Sequence, residues 1–212
     1  MKKKKQSSLS KLMEIAGNHK YLSYLSCVFA VVSAWIALVP LYDIWRIIKE
    51  VLKVRPDFRE AVHITAYGWH AVGFALLSMV FYIAGLMCSH IAAFRVQANL
   101  RTAMMEHVMK IPLGYVEAEG TGKIRKIIID SSAATETYLA HNLPDKAASY
   151  ATPVGLLVMM FWFDWRLGLI SLIPAALAFI LMGTLMMGPK MAEDMKQYQN
   201  SLEAMSSEAG EY

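Results

Sequence analysis

Residues 61–94 read AVHITAYGWHAVGFALLSMVFYIAGLMCSHIAAF, 34 positions between Glu60 and Arg95 without a single Asp, Glu, Lys or Arg. A helix of that length rises about 50 Å, more than the roughly 30 Å of a bilayer's hydrocarbon core. Three more charge-free runs flank it: 22 residues between Lys20 and Asp43, 17 between Lys146 and Asp164, and 23 between Arg166 and Lys190. About 20 apolar residues are needed to cross, so three of the runs suffice outright and the 17-residue one is borderline. Composition agrees, with 56% hydrophobic and 18% charged residues, against roughly 45–50% and 25% in soluble domains. The reading is an all-α, polytopic membrane protein with four long transmembrane helices and the lipid bilayer as its first partner.

Other classes drop out. Cys27 and Cys88 both lie inside apolar runs, which leaves no disulfide framework and no zinc or redox pair. The net charge of +4 does not imply a nucleic-acid partner, because the cations sort across the membrane. With the N-terminus inside and four crossings, 15 of the 21 Lys and Arg fall on the cytoplasmic side, as the positive-inside rule expects. The outer segments are then 43–60, which is itself basic, and the turn 164–166. Trp45, Trp69, Trp162 and Trp165 fall at outer helix ends, where an interfacial belt places them, and Trp35 sits deep. The first run is longer than a signal-peptide core and lacks a small-residue exit, so it reads as an uncleaved helix. Ahead of it, Ser7–Gly17 fits a short amphipathic surface helix with Leu9, Leu12, Met13, Ile15 and Ala16 on its apolar side.

The second helix does not stop where charge begins. Val96, Leu100, Met104 and Val108 continue at a spacing of four beyond Arg95, the pattern of one helix face. Pro112 ends it. Ile124, Ile127, Ile128, Ala134 and Tyr138 then recur at roughly helical spacing on the way back. A pair of helical stalks therefore projects inward, joined by Pro112–Gly122. The charged, Met-rich stretch after Pro189 reads as a third stalk.

Motifs for chemistry are sparse. Gly120-Thr121-Gly122-Lys123 resembles a phosphate loop only superficially: Glu117 stands where glycine is needed and Ile124 where Ser or Thr is needed. No catalytic, metal or cofactor residue is assigned in this chain. His63 and His70 share a helix face, where a metal or proton-relay role is conceivable, but no third ligand of suitable spacing accompanies them, and interfacial or bundle-facing histidines are the simpler reading. Gly85, Ser89 and Ala93 form a row suited to close helix packing. The 15 methionines scatter along the chain, as adaptable packing residues do. Arg95, Asn99, Glu136 and His141 lie just inside the membrane and are candidates for a substrate pathway, although a solvated stalk face explains them equally well.

Long inward extensions of helices two and three, joined by Pro112-Leu113-Gly114-Tyr115-Val116-Glu117 and then Gly122-Lys123-Ile124, resemble the first intracellular loop of ABC exporter transmembrane domains. Met159-Met160-Phe161-Trp162-Phe163-Asp164-Trp165-Arg166-Leu167 is similar to that family's outer turn between helices three and four. Residues 135–145, TETYLAHNLPD, look closest to a subgroup that includes siderophore-handling transporters of exporter fold. The resemblance implies a cytoplasmic N-terminal segment, 1–19, followed by a partial transmembrane domain, 20–212. Its membrane runs lie at about 20–45, 61–94, 144–163 and 167–189, and its coupling loop at 112–122. Leu113, Gly114, Tyr115, Val116 and Glu117 would contact an ATPase domain.

The family works by alternating access: two transmembrane domains, identical or different, enclose a cavity that ATP-driven closure of two ATPase domains reshapes. ATP and Mg would belong to an ATPase domain outside this sequence, so this chain alone is not an enzyme while the parent would be an ATP-hydrolysing translocase. The expected setting is a bacterial plasma membrane with both termini cytoplasmic. Helices five and six and the ATPase motifs are not in the sequence, Val116 replaces a usual aromatic, and Gly210 stands where a helix former is expected. A fragment of a longer reading frame is the favoured explanation. The competing reading is a stand-alone four-helix membrane adaptor that binds a cytoplasmic partner through residues 112–122. The reading frame beyond Tyr212 separates the two: further apolar helices and a phosphate loop would select the transporter.

Overall fold

The computed structural model describes residues 8–54, 61–186 and 188–209. Residues 1–7, which include the N-terminal lysines, the segment 55–60, Met187 and Gly210–Tyr212 lie outside the described residues. Every regular element among the described residues is helical: α1 (Ser8–Ala16), a 3₁₀ turn (Gly17–His19), α2 (Lys20–Ile36), α3 (Val39–Lys53), α4 (Ile64–Val108), α5 (Leu113–Glu119), α6 (Thr121–Thr137), a π segment (Tyr138–Asn142), α7 (Leu143–Phe163), α8 (Trp165–Met186) and α9 (Pro189–Ala209). By length and apolarity, three helical stretches among the described residues could cross a membrane, namely Leu12–Lys53, Ile64–Val108 and Trp165–Leu185. The fourth expected run lies in α7, whose 21 residues rise about 31 Å. Asp145, Lys146, Ser149, Thr152 and Pro153 in its first half make it the most polar of the four. The chain forms two compact units, Met1–Gly155 and Leu156–Tyr212.

In the first unit α4 is the axis. Its charged continuation past Phe94 is unbroken helix to Val108, 45 residues in all. Where a loop is expected from 43 to 60, α3 carries helix through Lys53. The interruption comes earlier, at Ala37–Leu38, because Pro40 in the first turn of α3 has no N–H to continue the α2 ladder. The Leu38 N–H turns instead to the Trp35 carbonyl at 3.1 Å.

Small residues bring α2 and α4 together. Ser23, Ser26, Ala30 and Ser33 on α2 are buried, as are Gly85, Ser89, Ala92 and Ala93 on α4. A Cβ at Gly85 would lie 3.2 Å from the Phe29 Cβ and 3.4 Å from the Ser26 carbonyl oxygen. Lipid tails are as apolar as leucine, so helices in a bilayer gain by close backbone approach and interhelical hydrogen bonds. The Ser33 hydroxyl accordingly donates to the Ser78 carbonyl across the pair at 2.9 Å. Deep Trp35 finds its acceptor in the Ala151 carbonyl, 3.1 Å from Nε1.

The amphipathic α1 does not simply lie on a surface. Met13 and Ala16 are buried in a cluster with Ala93 and Val96 of α4 and Leu139 and Ala140 of the π segment. That π segment has a local cause. Pro144 has no N–H, and its ring would crowd the carbonyl of residue 140 in a regular helix. The chain widens by one residue, and the Leu143 N–H reaches back to the Tyr138 carbonyl.

In the second unit the turn after α7 is a single non-helical residue, Asp164. Its Oδ1 accepts the Arg166 N–H at 2.8 Å and caps α8. Gly168 lets the Phe161 ring approach, since a Cβ there would sit 2.7 Å from Phe161 Cδ1. Pro189 opens α9, a position suited to its fixed φ.

Candidate coupling turn and buried polar pairs

The far end of α4 tightens before it stops. The Lys110 and Ile111 N–H groups take carbonyls three residues back, His107 at 3.0 Å and Val108 at 3.1 Å, a tightening typical of helix termini. Extended Pro112 then starts α5, and its carbonyl accepts the Tyr115 N–H at 3.0 Å. Gly120 closes α5 at φ 80°, a backbone conformation in which a side chain would be strained. The seven residues of α5 thus form a short bar that joins the end of α4 to the start of α6.

The five expected coupling residues divide by environment. Leu113 is 71% exposed and Tyr115 is 55% exposed. Tyr115 borders a groove of about 380 Å³ together with Met104 and Val108 of α4 and Ile124 and Ile128 of α6. Val116, half-buried, borders a second groove of about 500 Å³ beside Met105 and Ile129. Gly114 has open space where a Cβ would be, and Glu117 is exposed. Next to the bar, Lys123 Nζ lies 2.6 Å from Glu119 Oε2. That hydrogen bond and the Glu119 charge push the Lys123 ammonium above its ordinary 10.5.

Among the described residues no hydrogen bond or ion pair joins the four expected pathway residues to one another. Arg95 is exposed. Asn99 donates to the Ile15 carbonyl at 3.3 Å, tying α1 to the stalk. Glu136 is half-buried near the end of α6. His141, in the π segment, meets His90 of α4 edge to face, with ring centroids 4.9 Å apart.

Three polar contacts went unforeseen. Asp43 of α3 is fully buried, and its Oδ2 lies 2.7 Å from Nδ1 of His70 on α4, while Oδ1 has no hydrogen-bond partner. Seven residues on, Glu50 Oε1 accepts the His63 N–H at 3.0 Å. A seven-residue advance along α3 matches a seven-residue retreat along α4, so the two run antiparallel in register. Asp43 reads in sequence only as the end of a charge-free run; the matching intervals to His70 and His63 were the available signal. Nearer the tips, Arg101 Nε donates to the buried Ser132 hydroxyl at 2.8 Å, joining α4 to α6.

Against this geometry the comparisons with known proteins can be set. The sequence profile described as ABC transporter transmembrane region matches residues 23–211. The chain is 35% identical over 125 residues to the Mycobactin import ATP-binding/permease protein IrtA of Mycolicibacterium smegmatis, covering 58% of this chain and 14% of that one. The protein of the same name from Mycobacterium tuberculosis is 30% identical over 147 residues, 68% of this chain and 17% of its own length. The ATP-dependent lipid A-core flippase of Aliivibrio fischeri is 27% identical over 142 residues, 64% and 24% of the two chains. The chain therefore spans less than a quarter of the length of these relatives. A profile matched from within α2 to beyond α9, on a helical membrane protein whose second and third spans extend into a bar-capped pair, places this chain in the ABC transporter transmembrane-region family.

Proposed function

We propose that this chain forms one wall of the substrate pathway of an ATP-driven transporter and receives the motion of an ATPase domain through α5. The observation that carries the reading is the bar itself. A short helix with Leu113 and Tyr115 exposed caps two helices that continue well past their apolar runs. An aromatic anchor of this kind often dominates an interface. Because α4 is one uninterrupted helix, a push on α5 is transmitted along its axis toward the spans.

Nucleotide chemistry would come from the partner. The residues nearest to a phosphate-loop pattern do not fit ATP, because Glu117 and Ile124 stand where that pattern needs glycine and Ser or Thr, and the Lys123 ammonium is held by Glu119. ATP and Mg are therefore assigned to an ATPase domain outside this sequence. The family resemblance further suggests a second transmembrane domain, identical or different, a bacterial plasma membrane and cytoplasmic termini. Arg95, Asn99, Glu136 and His141 are retained as pathway candidates. Relatives named for mycobactin import and lipid A-core flipping suggest a large amphiphilic cargo.

The test is Tyr115→Ala in the full transporter. Transport should fall by about tenfold or more, as expected for loss of an aromatic hot spot, while ATP hydrolysis persists and membrane insertion is unchanged. A cysteine at 115 should crosslink to the ATPase domain. Normal transport together with no crosslink from positions 113–117 would remove α5 from the coupling role.

A further inference from the structure

At the opposite end of α4 from the coupling bar, a cleft of about 530 Å³ opens between the end of α3 and the start of α4. We propose that this cleft is a binding site for a phosphate-bearing anion, the shared chemistry of a phospholipid headgroup and a soluble phosphoryl group. The inference does not depend on the transport reading.

Three cations supply the charge. Arg46, Lys49 and Lys53 border the cleft at helical positions i, i+3 and i+7, which places them on one narrow stripe of α3. Like charges at such spacings repel along a helix. Among the described residues no carboxylate forms an ion pair with any of them. The two carboxylates of α3 have other partners, Glu50 in the His63 amide and Asp43 in His70. Residues 55–60 carry two arginines against Asp57 and Glu60 and so add no net charge. With histidine neutral, the lining holds three positive charges against the one of Glu50.

Aromatic rings hold two of these cations, Arg46 and Lys49, in place without neutralising them. The Arg46 guanidinium lies 4.6 Å from the Tyr67 ring centroid and 5.4 Å from that of Tyr42. Lys49 Nζ lies 4.8 Å from the Trp45 ring. A cation on a ring face keeps its charge and its outward N–H donors, and the ring lowers its freedom to wander. A planar guanidinium flanked by two ammonium groups suits several acceptor oxygens on one centre, which a phosphoryl group offers and a single carboxylate does not.

Position points the same way. The cleft sits where the 34-residue charge-free run begins, at the depth where tyrosine, tryptophan and lipid headgroups meet. A plainer account would leave the lysines solvated and make Arg46 a clasp between the helices. That account requires no anion preference, and the difference can be measured.

The chain is reconstituted in nanodiscs of phosphatidylcholine doped with about one-tenth phosphatidylglycerol, and retained lipids are counted by native mass spectrometry. Phosphatidylglycerol should be enriched over its bulk share, and Arg46→Gln/Lys49→Gln/Lys53→Gln should weaken that preference about a hundredfold, at about 1 kcal/mol per cation, so that the enrichment disappears. A Lys190→Gln/Lys196→Gln control on α9 should leave it unchanged. In the second arm, discs of pure phosphatidylcholine are titrated with inorganic phosphate and followed by phosphorus NMR. Saturable broadening that the triple variant abolishes would identify a soluble anion as the ligand. Glu50→Gln guards against misfolding as the explanation, because it keeps an acceptor for the His63 amide and should strengthen whichever binding is seen by about fivefold. Neither lipid enrichment nor phosphate binding in the parent chain, or full retention of both by the triple variant, would overturn the proposal.

Discussion

The two ends of α4 are held to their neighbours by different means. Along the apolar run, α4 meets α2 and α3 through small side chains and hydrogen bonds, from Gly85 against Phe29 to Ser33 on the Ser78 carbonyl and Asp43 on His70. Beyond Phe94 it meets α6 and α5 through larger apolar residues that leave two open grooves, with Arg101 on Ser132 as the cross-link. The contrast follows from solvent. In hydrocarbon no apolar side chain gains by leaving lipid, so contact rests on close backbones and satisfied polar groups. Where water is the solvent, burying Ile124, Ile128 and Met104 is itself favourable. One helix thus shows two kinds of adhesion, and each is vulnerable to a different substitution.

The largest effect should come from His70→Ala. His70 is half exposed, whereas Asp43 is fully buried with one oxygen already lacking a partner. Removing the imidazole would orphan the other oxygen and cost about 3 kcal/mol of stability in detergent unfolding. The reverse change, Asp43→Leu, should cost less, because the freed imidazole can turn to the outside. Equal losses for the two variants would mean that packing, and not the pair, decides this end. Gly85→Leu comes next, at about 2 kcal/mol by overpacking, since its branches would enter the space of Phe29 and the Ser26 carbonyl. An unchanged unfolding midpoint would show that α2 and α4 can separate without loss.

The smallest effect is at the bar. The raised Lys123 pKa means that its pairing with Glu119 contributes fully below the unfolded value of about 10.5 and is lost as pH climbs through the higher folded value. Between pH 7 and 10 the first turn of α6 should be unaffected, and fraying should begin only above that. Amide exchange at Ile124 against pH would read it. Exposed pairs of this kind contribute little, so fraying already at neutral pH in Lys123→Ala would mark the pair as more important than its exposure suggests.

Charge-free runs made the spans legible, because a run of 34 residues has few alternatives in physics. The stalks were legible for the same kind of reason, since Val96, Leu100, Met104 and Val108 keep helical spacing after charge returns. The coupling turn could be bounded by Pro112 and Gly120–Gly122, yet the opposite settings of Tyr115 and Val116 depend on how α5 lies across two partners. Helix through Lys53 was missed because Arg46, Lys49 and Lys53 look like loop charge until they are placed on one stripe. Asp43 was missed because a lone carboxylate at a run's edge carries no mark of its partner 27 residues away.

The widened turn at Tyr138–Asn142 changes which side of α7 is which. One surplus residue rotates everything after it by about 100° relative to an uninterrupted helix. Without it, the face that holds Ile128, Ser132 and Leu139 would continue through Leu143, Ala147, Tyr150 and Val154. With it, the stripe moves to Pro144, Ala148, Ala151 and Gly155. Pro144 is buried, Ala151 receives the Trp35 indole, and Gly155 leaves room for Leu38, since a Cβ there would lie 2.6 Å from Leu38 Cδ1, while Tyr150 is 73% exposed and Val154 is 54% exposed. The bulge acts as a phase shifter, since a single inserted residue decides that small side chains and not bulky ones are presented to the first span.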